Sequence, residues 1–300
     1  MIQTKGMIVI SKPSIAVVGA GKVGSAIALL LSRQDYPLTG VADLNLSSAR
    51  RVAEELKIIA TSRPEEITAN ASVVFITTPD RVIAQVAGEI NERGGFKNGQ
   101  VVFHTSGFHP AEEIGIARYS GAVVASLHPL QSFADVNMAM ENLLGSYFAL
   151  EGDAGALLVA EQIVKDLGGK SFSIASRDKP LYHAAACIAS NYLVSLMHLS
   201  TGIYGHFGLS RSEAFKALFP LIQGTIKNIS QVGPARALTG PVARADAITI
   251  EGHLTALKEI GGLELELYKK LGLYSIKVAL ENESIAFEQG DKLRDIFEGA

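Results

Sequence analysis

The stretch Ser14-Ile-Ala-Val-Val-Gly-Ala-Gly-Lys-Val-Gly-Ser25 decides the fold. Ile15 to Val18 read as a strand, and Gly19, Gly21 and Gly24 set a G-x-G-x-x-G spacing directly after it. The next segment, Lys22 to Arg33, places Val23, Ile27, Leu30 and Leu31 on one helical face. Glycines alone carry little weight, because turns need them. The context carries more: a strand before, an amphipathic helix after, and an acid, Asp43, at the end of a second strand. Asp43 follows Gly24 by 19 residues, close to the spacing of about 20 expected of a dinucleotide-binding turn. In that setting Gly19 makes the tight turn, Gly21 lets the backbone approach a pyrophosphate and Gly24 lets the helix pack on the sheet. The loop and first helical turn, Gly19-Ala20-Gly21-Lys22-Val23-Gly24, then offer bare N–H groups and a partial positive charge to phosphates.

Outward from this loop, strands and helices alternate. Strand-like runs fall at Leu38 to Asp43, near Ile58 to Ala60, Val73 to Ile76, Val101 to His104, Ala122 to His128, Tyr147 to Leu150 and Ser171 to Ile174. Helical patterns lie between them at Ser47 to Leu56, Arg81 to Ile90, Pro110 to Arg118 and Ala154 to Leu167. This order argues for an α/β, doubly wound parallel sheet with helices on both faces. After Ser176 the strands stop, and the chain from Leu181 onward reads as helix after helix. The stretch from Leu181 to Leu209 is expected to be a buried helix, and Ser210 with Glu213 makes a capping-box pattern for the helix after it. We place the boundary near residue 177: a Rossmann domain over 1–177 and a helical domain over 178–300.

The totals exclude several classes. A net charge of −3 and the absence of tryptophan give no reason to expect nucleic acid or an acidic membrane surface as a partner. The apolar run Met7 to Ile10 is too short for a signal-peptide core, and His183, Asn191, His198 and His206 interrupt the most apolar later stretch. The single cysteine, Cys187, rules out an internal disulfide and a Cys-rich zinc site and suits a reducing cytoplasm. His104 and His109 lack the further ligands a metal would need.

Ligands of open α/β sheets bind beyond the carboxyl ends of the strands. Thr77, Thr78, Pro79 and Asp80 end one strand, and His104-Thr-Ser-Gly107 ends the next. Both should line the cofactor crevice, with Ser106 as a candidate substrate contact. His128, held before Pro129, is aimed at the same crevice. Asp43 favours NAD, since a carboxylate accepts from ribose hydroxyls and repels a 2′-phosphate. Arg50 and Arg51 just beyond it are either phosphate ligands or a solvated face. The balance leans slightly to NAD.

The dinucleotide loop, Thr77-Thr-Pro-Asp80, His104-Thr-Ser-Gly107, Ser126-Leu-His-Pro-Leu-Gln-Ser-Phe133 and Leu238-Thr-Gly-Pro-Val-Ala-Arg-Ala-Asp246 together resemble a known family. It comprises Rossmann-like proteins with a C-terminal helical domain of unknown function, distantly related to 6-phosphogluconate dehydrogenase, ketopantoate reductase and pyrroline-5-carboxylate reductase. The resemblance implies a nicotinamide-dependent oxidoreductase whose helical domain pairs two subunits, and a mean hydropathy of +0.24 accords with a homodimer. It also implies a proton donor and, further along, a substrate-orienting asparagine on the first long helix. His183 matches the donor's place only approximately, because relatives carry lysine there. Lys179 competes, though Pro180 after it sets it ahead of the helix. At roughly 100° per residue, His183, Cys187, Ser190 and Asn191 share one polar stripe. Asn191 is the candidate for orienting substrate. Arg244 either clamps a substrate carboxylate or pairs with Asp246 at a helix cap. The expected activity is therefore NAD(P)-dependent hydride transfer to or from a small carboxylated substrate, in a ketopantoate-reductase-like or prephenate-dehydrogenase-like reaction. The other reading is a dinucleotide-binding sensor or scaffold that performs no chemistry.

Overall fold

Strand β1, Ile15–Val18, sits at the centre of the sheet because every one of its side chains is buried. Ile15 and Val17 point to one face, Ala16 and Val18 to the other, and each pair enters a different hydrophobic cluster. A strand covered on both faces needs the continuous apolar run seen here. The computed structural model describes residues 12–299. The Met7–Ile10 run therefore lies outside the described residues.

From β1 the chain continues through α1 (Lys22–Arg33), β2 (Leu38–Ala42), α2 (Leu46–Leu56), β3 (Ala60–Thr61), α3 (Glu65–Thr68), β4 (Val73–Ile76) and α4 (Ile83–Glu92). It then forms β5 (Val101–His104), β6 (Val123–Pro129), α5 (Val136–Leu143), β7 (Tyr147–Gly152), α6 (Ala154–Asp166), β8 (Lys170–Ser173) and α7 (Lys179–Ala189). The eight strands lie in the order β3-β2-β1-β4-β5-β6-β7-β8. The strand order reverses between β1 and β4, which places the crevice at their carboxyl ends.

Three features depart from the expected pattern. Strand β7 runs antiparallel to β6, with Ser126 opposite Glu151, whereas the alternation of elements suggested a wholly parallel sheet. The chain leaves β6 and re-enters β7 at the same end, where the Leu130 amide donates to Tyr147 O at 2.8 Å. An antiparallel edge on a parallel sheet is a common variation. The segment after β5 forms a 3-10 helix, Ala111–Ser120, kinked at Ile114, instead of an α-helix. The third departure follows α7. The helix is interrupted at Ser190, and a separate α8 begins at Asn191 (Asn191–Ile203).

The chain divides into one compact unit reaching Asn191 and a second from Tyr192. Helix α7 thus groups with the sheet, while the sequence placed the boundary near 177. The second unit contains most of α8, then α9 (Arg211–Val232), α10 (Ala247–Ile260), α11 (Gly262–Glu281) and α12 (Phe287–Gly299). Its core is built by Val242, Ile250, Leu254, Ile276, Ala279, Ile285, Leu293 and Phe297. Helix α9 starts on the expected capping box: Ser210 Oγ accepts from the Glu213 amide and the Ser210 amide donates to Glu213 Oε2. The stretch from Leu181 to Leu209 is not buried as expected; Leu181, Ile188, Tyr192 and Val194 are exposed. Among the described residues no helix is long and apolar enough to cross a membrane.

Candidate active site

The glycine loop is shaped by contacts that only glycine permits. Gly19 has φ +106°, and a Cβ there would meet the Thr77 backbone at 2.8 Å. A Cβ on Gly24 would collide with Gly19 O and Thr77 Oγ1. Thr77 ties the loop to β4 from the other side, its Oγ1 donating to Gly19 O at 2.7 Å. Gly21 differs from both, since a Cβ there would meet nothing within 4 Å. Its missing side chain therefore leaves space for a ligand rather than for the protein. Gly21 caps α1, and no side chain bonds to that cap. The first helical bond runs from the Ser25 amide to Gly21 O at 2.9 Å, so the preceding amides of the turn lack helical acceptors. Bare N–H groups beside open space fit a diphosphate.

This loop forms one wall of a cleft of about 980 Å³, also lined by Lys22, Val23, Asp43, Thr77, Thr78, Pro79, Thr105 and Phe133. Thr78 Oγ1 is buried there with no hydrogen-bond partner, an orphan that a bound ligand would satisfy. Asp43 is occupied differently from expectation. Its Oδ2 accepts from the Ala20 amide at 2.7 Å and its Oδ1 from the Asn45 amide at 2.8 Å. The carboxylate thus clamps the glycine loop to β2, and its presence is explained without a ribose. Arg50 and Arg51 are exposed on α2. The lean towards NAD is therefore not supported.

Beyond Thr105 the chain turns tightly. Ser106 Oγ donates to Asp80 Oδ2 at 2.8 Å and accepts from the amides of Phe108 and His109. Ser106 is buried, so the structure places it as the pin of this turn. His104 Nδ1 accepts from the Ser106 amide, which leaves Nε2 as the donor to Pro110 O at 3.0 Å. Burial holds this ring neutral, its pKa pulled down to about 3.

Helix α7 lays Lys179, Tyr182, His183, Ala186 and Cys187 along one face, following the helical repeat. Lys179 is its first residue, not a residue ahead of it; Pro180 is tolerated in the first turn, where its missing N–H has no helical role. The Lys179 side chain is fully buried. Its Nζ donates to Ser106 O at 3.0 Å and to Ser126 Oγ at 2.6 Å. Burial pulls its pKa down to about 8, against the opposing pull of the Glu151 and Asp80 carboxylates. Glu151 itself accepts from the Ala111 amide and from Ser176 Oγ.

His128 and His183 converge on Gly107. A Cβ on that glycine would lie 2.7 Å from His183 Nδ1 and 2.8 Å from His128 Nε2. The two rings stand edge to face with centroids 6.0 Å apart. His183 Nδ1 is buried without a hydrogen-bond partner, and its Nε2 lies 3.7 Å from Cys187 Sγ. Two further site candidates lie on other elements. Asn191 opens α8 beyond the break at Ser190, so the polar stripe does not continue along one helix. Arg244 is exposed on a 3-10 turn of the second unit. Asp246 caps α10, accepting from the Thr249 amide at 3.1 Å.

Residues 2–129 match the description of a Rossmann-like domain, and residues 146–275 match a domain of unknown function, DUF2520. A crystal structure of a protein from Thermotoga maritima is 31% identical, covers 90% of this chain and 99% of its own, and superposes with a TM-score of 0.71. The chain belongs to the family that joins a Rossmann-like domain to DUF2520. A Bacteroides fragilis protein proposed as an NADP oxidoreductase shares this Rossmann–DUF2520 fold at 21% identity, over 90% of this chain and 99% of that one, with a TM-score of 0.71. Pyrroline-5-carboxylate reductase from Streptococcus pyogenes shares the fold at 16% identity, over 95% and 99% of the two chains, with a TM-score of 0.58. No curated protein matches the sequence. The Rossmann–DUF2520 site also contains residues the sequence did not single out, namely Tyr182, Ser126 and Glu151, while Asp80 lines the cleft as expected. Tyr182 lies one position from His183, but the His128 ring that its hydroxyl bonds comes near only in the fold. Among the described residues no group of three or more His, Cys, Asp or Glu is arranged to hold a metal ion.

Proposed function

We propose that this protein is an oxidoreductase that moves a hydride between a nicotinamide dinucleotide and a small, carboxylated substrate. The observation that carries the reading is Gly21, whose absent side chain keeps the cleft open beside the bare amides of α1. The bound dinucleotide would supply the hydride acceptor or donor. The chain's own part is to bind, orient and handle a proton. The Gly19–Gly24 loop would hold the diphosphate, and Thr78 Oγ1 is free to bond a ribose or carboxamide. Thr105 brings the cleft to the turn that holds Ser106 and Gly107, where His128, His183 and Lys179 gather. His183 Nδ1, buried and unpaired, is the group placed to exchange a proton with a substrate oxygen or nitrogen. Lys179 holds the Ser106 carbonyl through its Nζ.

The cofactor covers both NAD(H) and NADP(H). Asp43 is engaged with backbone amides, and the Bacteroides fragilis relative is proposed to use NADP. A thermal melt with each coenzyme tests the reading, because a ligand that binds only the folded state raises the midpoint. No rise with either at millimolar concentration refutes it. A rise without turnover across 2-keto acids, imines and 2-hydroxy acids points instead to the sensor reading. We further infer that the protein is a homodimer. Helix α9 buries only Ala214 of its 22 residues, and Phe215, Phe219, Leu221, Ile226 and Val232 stand exposed along it. A second copy would cover such a face.

A further inference from the structure

We propose that Tyr182 is a positioning residue that fixes His128 in the tautomer carrying its proton on Nε2, so that the ring offers a neutral hydrogen-bond donor to an oxygen of the substrate. The inference rests on the oxidoreductase reading above and names the substrate class for it: a ketone or a secondary alcohol rather than an iminium.

The geometry begins with the 2.7 Å contact between Tyr182 Oη and His128 Nδ1. The two rings meet edge to face, with centroids 5.6 Å apart. Burial pushes the Tyr182 phenol up to about 12 and pulls the His128 imidazole down to about 4. At neutral pH the phenol keeps its proton and the imidazole has only one. The phenol has no other acceptor among the described residues. Its O–H therefore donates to Nδ1, and the ring proton sits on Nε2. Nε2 has no protein partner among the described residues and faces Gly107, at the turn that follows Thr105 of the cleft.

Burial first, and then the charged and titratable groups around it, keep the His128 ring neutral. Lys179 and His183 of α7 act on it through space, and both disfavour a second proton. His104 on β5 is itself held neutral. A neutral N–H donor suits an acceptor with a lone pair. A carbonyl oxygen has two, and a hydroxyl oxygen can accept from His128 Nε2 while donating to His183 Nδ1. An iminium nitrogen has none and would present a proton to a proton. The pair of ring nitrogens thus fits the two oxidation states of a carbinol carbon: as the carbonyl forms, the hydroxyl proton would pass to His183 Nδ1 and the hydride on carbon to the oxidised dinucleotide of the proposed reaction.

Nitrogen NMR on the full chain labelled with 15N-histidine tests the ring assignment without cofactor or substrate. The expected result is a His128 ring with Nδ1 unprotonated and Nε2 protonated, unchanged between pH 8 and about pH 5. Tyr182→Phe should convert it to a tautomer mixture while the His104 signals stay in place. A His128 ring protonated on Nδ1, or one indifferent to Tyr182→Phe, overturns the proposal; should that variant not fold, the wild-type pattern alone decides. The substrate class is tested in protein saturated with NADPH and, separately, with NADH. Turnover of 2-keto acids at least tenfold above that of cyclic imine carboxylates is expected, and the reverse ranking overturns the assignment. Loss of both activities would count against the oxidoreductase reading itself, whereas the nitrogen shifts judge the ring independently.

Discussion

Replacing Lys179 with methionine measures what the site costs the fold. The lysine is fully buried, and its pKa falls from 10.5 to about 8. At about 1.4 kcal/mol per tenfold change in a protonation equilibrium, the folded state bears roughly 3 kcal/mol for keeping this ammonium at neutral pH. Methionine preserves most of the volume and removes the charge. Ser106 O retains a donor in Ser126 Oγ at 3.1 Å, so no buried carbonyl is orphaned. Lys179→Met should therefore match or exceed the wild type at pH 7, by up to about 3 kcal/mol, while turnover collapses. Because the folded pKa lies below the unfolded one, the unfolded chain binds more protons between pH 8 and 10.5. Wild-type stability rises across that window, and the gap between variant and wild type closes. Urea melts of both proteins at pH 7, 9 and 10.5 give the difference directly, and other titrating groups cancel from it. A variant less stable by more than about 2 kcal/mol at pH 7, or a gap that stays constant with pH, refutes the reasoning.

Other substitutions separate binding from folding. Gly21→Ala should leave the melting temperature without coenzyme nearly unchanged and weaken coenzyme binding at least tenfold in a titration. Gly24→Ala should destabilise the fold by about 2–3 kcal/mol in urea melts, since its Cβ meets backbone. Gly107→Ala drives a methyl into the two imidazoles; kcat should fall at least tenfold with coenzyme affinity held within about threefold. Phe219→Glu together with Leu221→Glu should shift the sedimenting species from dimer to monomer, and an unchanged sedimentation profile would remove α9 from the interface.

The half of the molecule around β1 was legible because its signals are local. Gly19, Gly21 and Gly24 each answer to a backbone constraint within a few residues or to the next strand, and the alternating strand pattern follows from burial on both faces. Asp43 shows where local reading stops. Its spacing from Gly24 suggests a ribose ligand, whereas each of its oxygens accepts from an amide that only the folded loop brings near. Pro180 makes Lys179 look as if it lies ahead of the helix, although the first turn is where proline costs least. Tyr182 carries no local signal, because its significance depends on His128, 54 residues away. The reversed direction of β7 leaves no trace in the alternation of strands and helices, and it emerges only from pairing.

That reversal has a consequence for how the chain avoids mispairing. Ser126 and Glu151 stand opposite each other on the face away from Leu127, Phe148 and Leu150, which belong to the oily cluster behind the sheet. Sliding β7 by a single position would turn the Glu151 carboxylate into that cluster and lift Leu150 out of it. An acid whose charge is felt by a buried ammonium therefore also proofreads strand alignment, and edge-strand slippage should be rarer here than in a variant with an apolar residue at 151.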